Sequence, residues 1–199
     1  MIEGLLLAAG RSTRFGRNKL IHAPPGEAPL ALQAAHCLSA LEHSLAVIPH
    51  DDSALRALFQ EFGLAVTEVG ASVAGAPLGL SDSLRAGLEA TSEAAAWIIA
   101  LADMPQVTPG TVAAIRQSLF EGAAIVACRY RGQRGNPVGF SHRFRAELML
   151  LQGDQGARGL LERYPGEVCW LEVEDPGILL DIDVPADWQR RSGPATSKP

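Results

Sequence analysis

Ile2-Glu3-Gly4-Leu5-Leu6-Leu7-Ala8-Ala9-Gly10-Arg11-Ser12-Thr13-Arg14-Phe15-Gly16-Arg17-Asn18-Lys19 decides how this chain is read. The run Ile2–Leu7 is short, apolar and stopped soon after by glycine, which is the pattern of a buried strand. It opens directly into a segment of small residues, two glycines and the four cations Arg11, Arg14, Arg17 and Lys19. Small residues let a backbone close around a phosphate chain and turn its N–H groups toward it, while the cations offset the phosphate charge. The spacing is not that of a Walker loop, and the Gly-x-Gly-x-x-Gly dinucleotide turn is missing. Without the strand in front of it, the same segment would read as a glycine turn with solvated arginines.

Working outward, short apolar runs alternate with helical patterns. Pro29–Glu42 has helical spacing, Leu45–Ile48 reads as a strand, and Ser53–Phe62 places Leu55, Leu58, Phe59 and Phe62 on one helix face. Leu64–Val69 is a further strand, Ser81–Glu89 a helix opened by serines, and Trp97–Leu101 an entirely apolar strand. Thr108-Pro109 supplies an N-cap and a first-turn proline for a helix to about Leu119, and Ala123–Cys128 is the next strand. Beyond Cys128 the pattern loosens into a short strand at Pro137–Ser141, helices at Arg143–Leu151 and Ala157–Arg163, and a strand at Val168–Val173. Apolar strands each followed by a helix predict an α/β fold of three layers, Rossmann-like, with a mostly parallel central sheet covered on both faces. Ligands of such folds bind beyond the carboxyl ends of the strands. Residues 1–190 read as one domain, and 191–199, polar with two prolines, as a disordered tail.

Composition narrows the classes of function. About half of the 199 residues are apolar, enough for a substantial core. No run of ~18 apolar residues is present to span a bilayer, and the N-terminus lacks the basic and apolar regions of a secretory signal, so a cytoplasmic protein without a membrane partner is expected. The net charge of −5 argues against nucleic acid as a partner. That charge is uneven: no acidic residue lies between Glu3 and Glu27, where the basic loop sits. An acidic protein with one basic loop suits a small anionic ligand. Cys37, Cys128 and Cys169 form no Cys-x-x-Cys pair, and their apolar settings read as buried thiols. His22, His36, His43, His50 and His142 show no metal-ligand spacing and read as solvated or hydrogen-bonded.

Five more segments carry candidate chemistry. In Leu78-Gly79-Leu80-Ser81-Asp82-Ser83-Leu84-Arg85 the serines either cap a helix or offer hydroxyls to a ligand. Leu101-Ala102-Asp103-Met104-Pro105 puts a carboxylate at the ligand edge of the sheet, where it either holds a metal or shapes the turn before Pro105. Arg134-Gly135-Asn136-Pro137-Val138-Gly139-Phe140, with Arg131 just before it, and Gly153-Asp154-Gln155-Gly156-Ala157-Arg158 add cations among glycines. In Leu180-Asp181-Ile182-Asp183-Val184-Pro185-Ala186-Asp187, Asp181 and Asp183 alternate along an expected short strand and share a side, with no cation close in sequence, which suggests a metal.

The segment Leu6–Lys19 resembles the signature loop of the nucleotidyltransferases that activate sugar phosphates, methylerythritol phosphate and molybdopterin, with Phe15 where members usually carry methionine. The five further segments are similar, in order and spacing, to those of the molybdopterin nucleotidyltransferase-like NTP transferase family, and specifically to its molybdenum cofactor cytidylyltransferases. Asn136 replaces that group's usual histidine, and Val184 and Ala186 are mild departures from its Asp-Ile-Asp-Thr-Pro-Glu-Asp. The resemblance implies that Ala8, Ala9, Gly10, Arg11, Ser12, Arg14, Gly16 and Lys19 hold the nucleotide with Gly79, Ser81 and Ser83. It implies that Arg14, Lys19 and Asp103 carry the reaction, that Asp103 and Asp183 hold magnesium (Mg2+), and that Arg134, Gly135, Asn136, Asp154 and Arg158 meet the acceptor. Ala9, in an Ala-Ala-Gly loop, points to CTP rather than GTP. The implied reaction moves CMP from CTP to the terminal phosphate of molybdenum-loaded molybdopterin, and the product passes to a molybdenum hydroxylase through a transient contact. Guanylyl transfer to the same pterin, cytidylyl transfer to another small phosphate, and a non-catalytic cofactor carrier are the competing readings.

Overall fold

Seven strands hydrogen-bond into one sheet in the computed structural model, which describes residues 1–10, 19–23, 25–70, 79–153, 157–183 and 187. In chain order they are β1 (Ile2–Leu7), β2 (His43–Ile48), β3 (Ala65–Glu68), β4 (Ala96–Leu101), β5 (Ile125–Tyr130), β6 (Gln133–Ser141) and β7 (Val168–Glu172). Across the sheet the order is β3-β2-β1-β4-β6-β5-β7. β1 pairs in parallel with both β2 and β4, β2 with β3, and β5 with β7. β6 alone runs against its neighbours, antiparallel to β4 on one side and β5 on the other.

The helices α1 (Leu30–Ala35), α2 (Ser53–Glu61), α3 (Leu80–Ala90), α4 (Pro109–Phe120), α5 (Arg145–Met149) and α6 (Arg158–Arg163) cover the sheet. The apolar interior divides into two clusters, one per sheet face. Leu55 and Phe59 of α2 and Val112 and Ile115 of α4 pack with Leu6, Ile98 and Val126 on one side. Leu84 and Leu88 of α3, Leu148 of α5 and Leu160 of α6 pack with Leu5, Trp97 and Phe140 on the other. Adjacent leucines of β1 therefore enter opposite clusters, as the alternation of a strand requires. The expected three-layer α/β architecture with a mostly parallel sheet is the one observed.

Several boundaries differ from the expectation for identifiable reasons. The helix expected over Pro29–Glu42 is α-helical only to Ala35 and continues as a tighter 3-10 turn, His36–Ala40. Asp52 caps α2 by accepting from the Leu55 N–H at 3.0 Å, and the helix ends before Phe62, which stays exposed. At α3 the expected serine cap is absent. Gly79 occupies the N-cap position, and the Asp82 carboxylate reaches back to its N–H at 2.8 Å. Thr108 caps α4 as expected, accepting from the Thr111 N–H. β6 starts at Gln133, well before Pro137, because Arg131 (φ 51°) and Gly132 (φ 76°) form a two-residue hairpin that returns the chain along β5.

Candidate active site at the carboxyl edge of the sheet

The strand order reverses direction at β1: β2 and β3 lie to one side of it and β4 to the other. Open α/β sheets bind ligands in the crevice beyond the carboxyl ends of such strands. Ala8 and Ala9 emerge from β1 there, 1% and 3% exposed, and the Ala8 N–H donates to the Val47 carbonyl at 2.8 Å. The Ala9 methyl packs in the cluster with Leu5, Leu7 and Leu84 rather than standing free. Gly10 is exposed. Arg11, Ser12, Arg14 and Gly16 lie outside the described residues, as do Asp154 and the tail 191–199.

Lys19 brings the separate motifs together. Its side chain is only 10% exposed, and its ammonium lies 3.0 Å from Asp103 Oδ2 and 3.2 Å from Asp183 Oδ1. It also donates to the Ile182 carbonyl at 2.7 Å. A buried ammonium is tolerable only when charge and hydrogen bonds compensate its desolvation, and these three oxygens do so. Asp103 follows β4 directly, and its backbone carbonyl accepts from the Ile182 N–H at 2.9 Å, so the segment that carries Asp183 is docked on the loop that carries Asp103. The Asp183 N–H in turn donates to the Asp187 carboxylate at 2.9 Å.

Two carboxylate oxygens and a carbonyl oxygen thus converge on one positive centre. Oxygen donors of this kind, partly open to solvent (29% for Asp103 and 47% for Asp183), suit a hard divalent cation that keeps waters or phosphate oxygens in its shell. Sequence reading found no cation close to Asp181 and Asp183, and for Asp183 the fold supplies Lys19 from the opposite end of the chain. The short strand expected to carry Asp181 and Asp183 is instead an extended loop over 180–183, with the Ile182 N–H spent on the Asp103 carbonyl. Asp181 is exposed there.

On the α3 side, Gly79 holds the N-cap, while Ser81 and Ser83 are 1% and 2% exposed and so face inward. The Ser81 N–H donates to the Gly153 carbonyl at 3.1 Å, and its hydroxyl is buried without a hydrogen-bond partner. The two segments expected at the base and at the acceptor are therefore in direct contact. Arg85 reinforces the contact through the Leu151 carbonyl at 3.2 Å.

The cations expected at the acceptor also gather. Arg134 is exposed at the start of β6, yet loss of hydration and the nearby positive charge of Arg158 hold its pKa below the ordinary arginine value, with Glu162 opposing. Arg158 itself pairs with Glu162 at 2.9 Å. Gly135 is buried: a side chain there would put its Cβ 2.2 Å from the Ile178 carbonyl, so glycine is required for β6 to lie against the C-terminal segment. Asn136 is half-buried and joined to Pro137 by a cis peptide bond. Arg131 sits in the hairpin, its guanidinium 5.1 Å from the Tyr130 ring.

Sequence reasoning missed Asp175. It is 4% exposed and accepts from Thr108 N–H, Thr108 Oγ1, Thr111 Oγ1 and Gly177 N–H. The signal was an aspartate ahead of Pro176-Gly177, which reads as an ordinary turn. Among the described residues one group of metal-competent side chains lies elsewhere, His50, Asp51 and Glu68. There His50 bonds both carboxylates and Arg56 holds Glu68 at 2.6 Å, so the imidazole is hydrogen-bonded as expected. No helix among the described residues is long and apolar enough to cross a membrane.

Comparison with known proteins gives the same picture. Residues 4–168 match the model of the MobA-like NTP transferase domain. The chain is 31% identical to the Bacillus subtilis purine catabolism protein PucB over 93% of each sequence. Rv0371c from Mycobacterium tuberculosis is 29% identical, with a TM-score of 0.80 over 95% of both chains. Its complex with manganese superposes with a TM-score of 0.76 over 95% of this chain and 96% of that one. The Archaeoglobus fulgidus molybdopterin-guanine dinucleotide biosynthesis protein A, 18% identical, shares the fold with a TM-score of 0.67 over 94% of this chain and 95% of its own. With the strand order, the ligand-edge lysine and its two aspartates all in place, the chain belongs to the MobA-like NTP transferase family.

Proposed function

We propose that this protein transfers CMP from CTP to the terminal phosphate of molybdenum-loaded molybdopterin, giving the molybdopterin cytosine dinucleotide and pyrophosphate. The observation that carries the reading is the convergence of Asp103 and Asp183 on the Lys19 ammonium at the sheet's switch point. Nucleotidyl transfer needs positioning and charge neutralisation more than a covalent catalyst. Asp103 and Asp183 would hold magnesium, whose positive charge, when bound, is shared with the triphosphate.

The rest is work for the chain's own side chains. Lys19, with Arg14 from the signature loop, stabilises the negative charge that builds on the phosphates as the bond between the α- and β-phosphates breaks. Arg134 and Arg158, two neighbouring cations with Glu162 as a compensating carboxylate, orient the acceptor phosphate. One of that phosphate's oxygens attacks the α-phosphorus in line, and pyrophosphate leaves along the loop. A phosphate monoester is already ionised near neutral pH, so no general base is required, and Asn136 in place of a histidine is compatible with turnover.

The choice of CTP follows from Ala9. By the resemblance, CTP-using members carry Ala-Ala-Gly where GTP-using members carry Ala-Gly-Gly, a one-methyl difference at Ala9, whose own methyl packs with Leu5, Leu7 and Leu84. A change of this size is worth about 1–3 kcal/mol in discrimination. The likeness to a protein named for purine catabolism supports a recipient among the molybdenum hydroxylases. The cytoplasm, rich in nucleoside triphosphates, is the setting this reading assigns.

The deciding experiment measures pyrophosphate release from CTP, GTP, ATP and UTP separately, with magnesium and molybdenum-loaded molybdopterin. Selective release from CTP is expected. Preference for GTP would overturn the base assignment while leaving the transfer mechanism, and no release from folded protein would reject the acceptor or favour a carrier.

A further inference from the structure

We propose that Asp175 is a positioning residue that sets the spacing of the Asp103–Asp183 pair. The proposal rests on the reading of that pair as the cation-holding site, and deepens it. Asp103 and Asp183 lie on separate loops, one between β4 and α4 and the other after β7. Tertiary contacts hold the two together: the Lys19 ammonium and the Ile182–Asp103 hydrogen bond at the site itself, and a further one below them.

Asp175 makes that contact at the root of both loops. One oxygen, Oδ2, accepts from the Thr108 N–H at 2.9 Å, the Thr108 hydroxyl at 2.9 Å and the Thr111 hydroxyl at 2.6 Å, where the Asp103 loop enters α4. The other, Oδ1, accepts from the Gly177 N–H at 3.0 Å and so shapes the 3-10 turn Pro176–Leu179 that leads toward Asp183. Gly177 then lies directly on the Asp103 loop: a Cβ at that position would come 2.1 Å from the Gln106 carbonyl. From there the two segments run together, Ile178 and Ile182 buried at 0% and 2% exposure, to the hydrogen bond from Ile182 N–H to the Asp103 carbonyl.

The chemistry of the clamp explains why a carboxylate sits there. Four donors converge on one side chain, and an ionised carboxylate accepts at about four lone-pair sites while donating nothing. An amide of the same shape would turn its NH2 toward N–H or O–H donors. The contacts Asp175 makes are with neutral donors at the amino end of α4, where the helix dipole favours a negative charge. Charge and geometry therefore favour aspartate over its closest isostere.

The test is Mn2+ binding followed by electron paramagnetic resonance, without nucleotide or pterin, which separates this proposal from the substrate assignment. Wild type should bind Mn2+ at a site that Asp103→Ala abolishes. Asp175→Asn should weaken that binding by about ten-fold or more, the usual scale for a residue that supports metal ligands from behind. Leu119→Ala, a core change in α4 away from the site, serves as the control: it should lower the melting temperature yet bind Mn2+ like wild type. If Asp175→Asn does not fold, Thr111→Val removes one donor only and should weaken binding by about three-fold. Unchanged Mn2+ affinity in the folded Asp175 or Thr111 variant overturns the proposal. So does equal weakening in Leu119→Ala, or a wild-type protein with no site dependent on Asp103. Failure of CTP-dependent transfer alongside the expected Mn2+ results would reject the substrate and leave the role of Asp175 standing.

Discussion

The two halves of the sheet are built on different rules. From β3 to β4 the strands are all parallel, and the side chains of β2, β1 and β4 enter both clusters, while edge strand β3 sends only Val66 into one. From β6 to β7 the sheet contains a hairpin, and its antiparallel strand sits in the middle although it begins Gln133-Arg134-Gly135-Asn136. The first half supplies the ammonium and Asp103 at the switch point, and the second supplies the cations Arg134 and Arg158. The difference teaches that the regular half places charge at a strand end, while the irregular half carries cations on and beside a hairpin and sends Asp183 back to the first half's lysine. On the proposed function, the first serves the nucleotide and the second the acceptor. If that division is right, substitutions in the two halves should damage different steps.

The largest effect should come from the first half. Asp103→Ala should lower turnover by at least about 10³-fold with circular dichroism unchanged, since the cation that neutralises the phosphates would lose a ligand. A rate within ten-fold of wild type would remove Asp103 from the chemistry. In the second half, Arg134→Ala should raise the acceptor's KM by about 10- to 100-fold, the scale of a lost charged hydrogen bond, and leave the KM for CTP unaltered. An equal rise in both would break the proposed division of labour.

Smaller effects sharpen it. Ala9→Gly should move the CTP-to-GTP ratio of kcat/KM toward GTP by up to about ten-fold, with the acceptor's KM constant. An unchanged ratio would take base choice away from this position. The thiols probe the interior behind each half. Burial, with Asp175 adding negative charge, pushes Cys37 and Cys128 up to about 12, whereas Cys169 on β7 is exposed. A thiol reagent near pH 8 should therefore modify Cys169 alone in the folded chain and all three after unfolding. Between the ordinary thiol value near 9 and about 12, the folded chain keeps two protons that the unfolded chain loses. Stability should decline as pH rises through that window, as a denaturation series would show.

How much was legible follows from the same contrast. Ile2–Leu7 and Ala96–Leu101 announce themselves because a parallel strand buried on both faces must be apolar throughout. β6 does not, because its first residues are polar and its pairing depends on a turn at Arg131–Gly132 that no hydrophobic pattern reports. In the site, Lys19, Asp103 and Asp183 were each visible as chemistry at the end of a recognisable motif. Asp175 was invisible, since its meaning lies in donors from Thr108, Thr111 and Gly177, two of them far along the chain.

The sequence by itself determined the layered architecture, the run of glycines and cations after β1 and the identity of the charged residues, because periodicity and composition are local properties. Only the tertiary structure decided that Lys19, Asp103 and Asp183 share one point, that the α3 entrance touches Gly153, and that a buried carboxylate joins the two aspartate loops. Those facts depend on which backbone groups are left unpaired once the sheet has formed. Their partners are chosen by proximity in space, which sequence order does not encode.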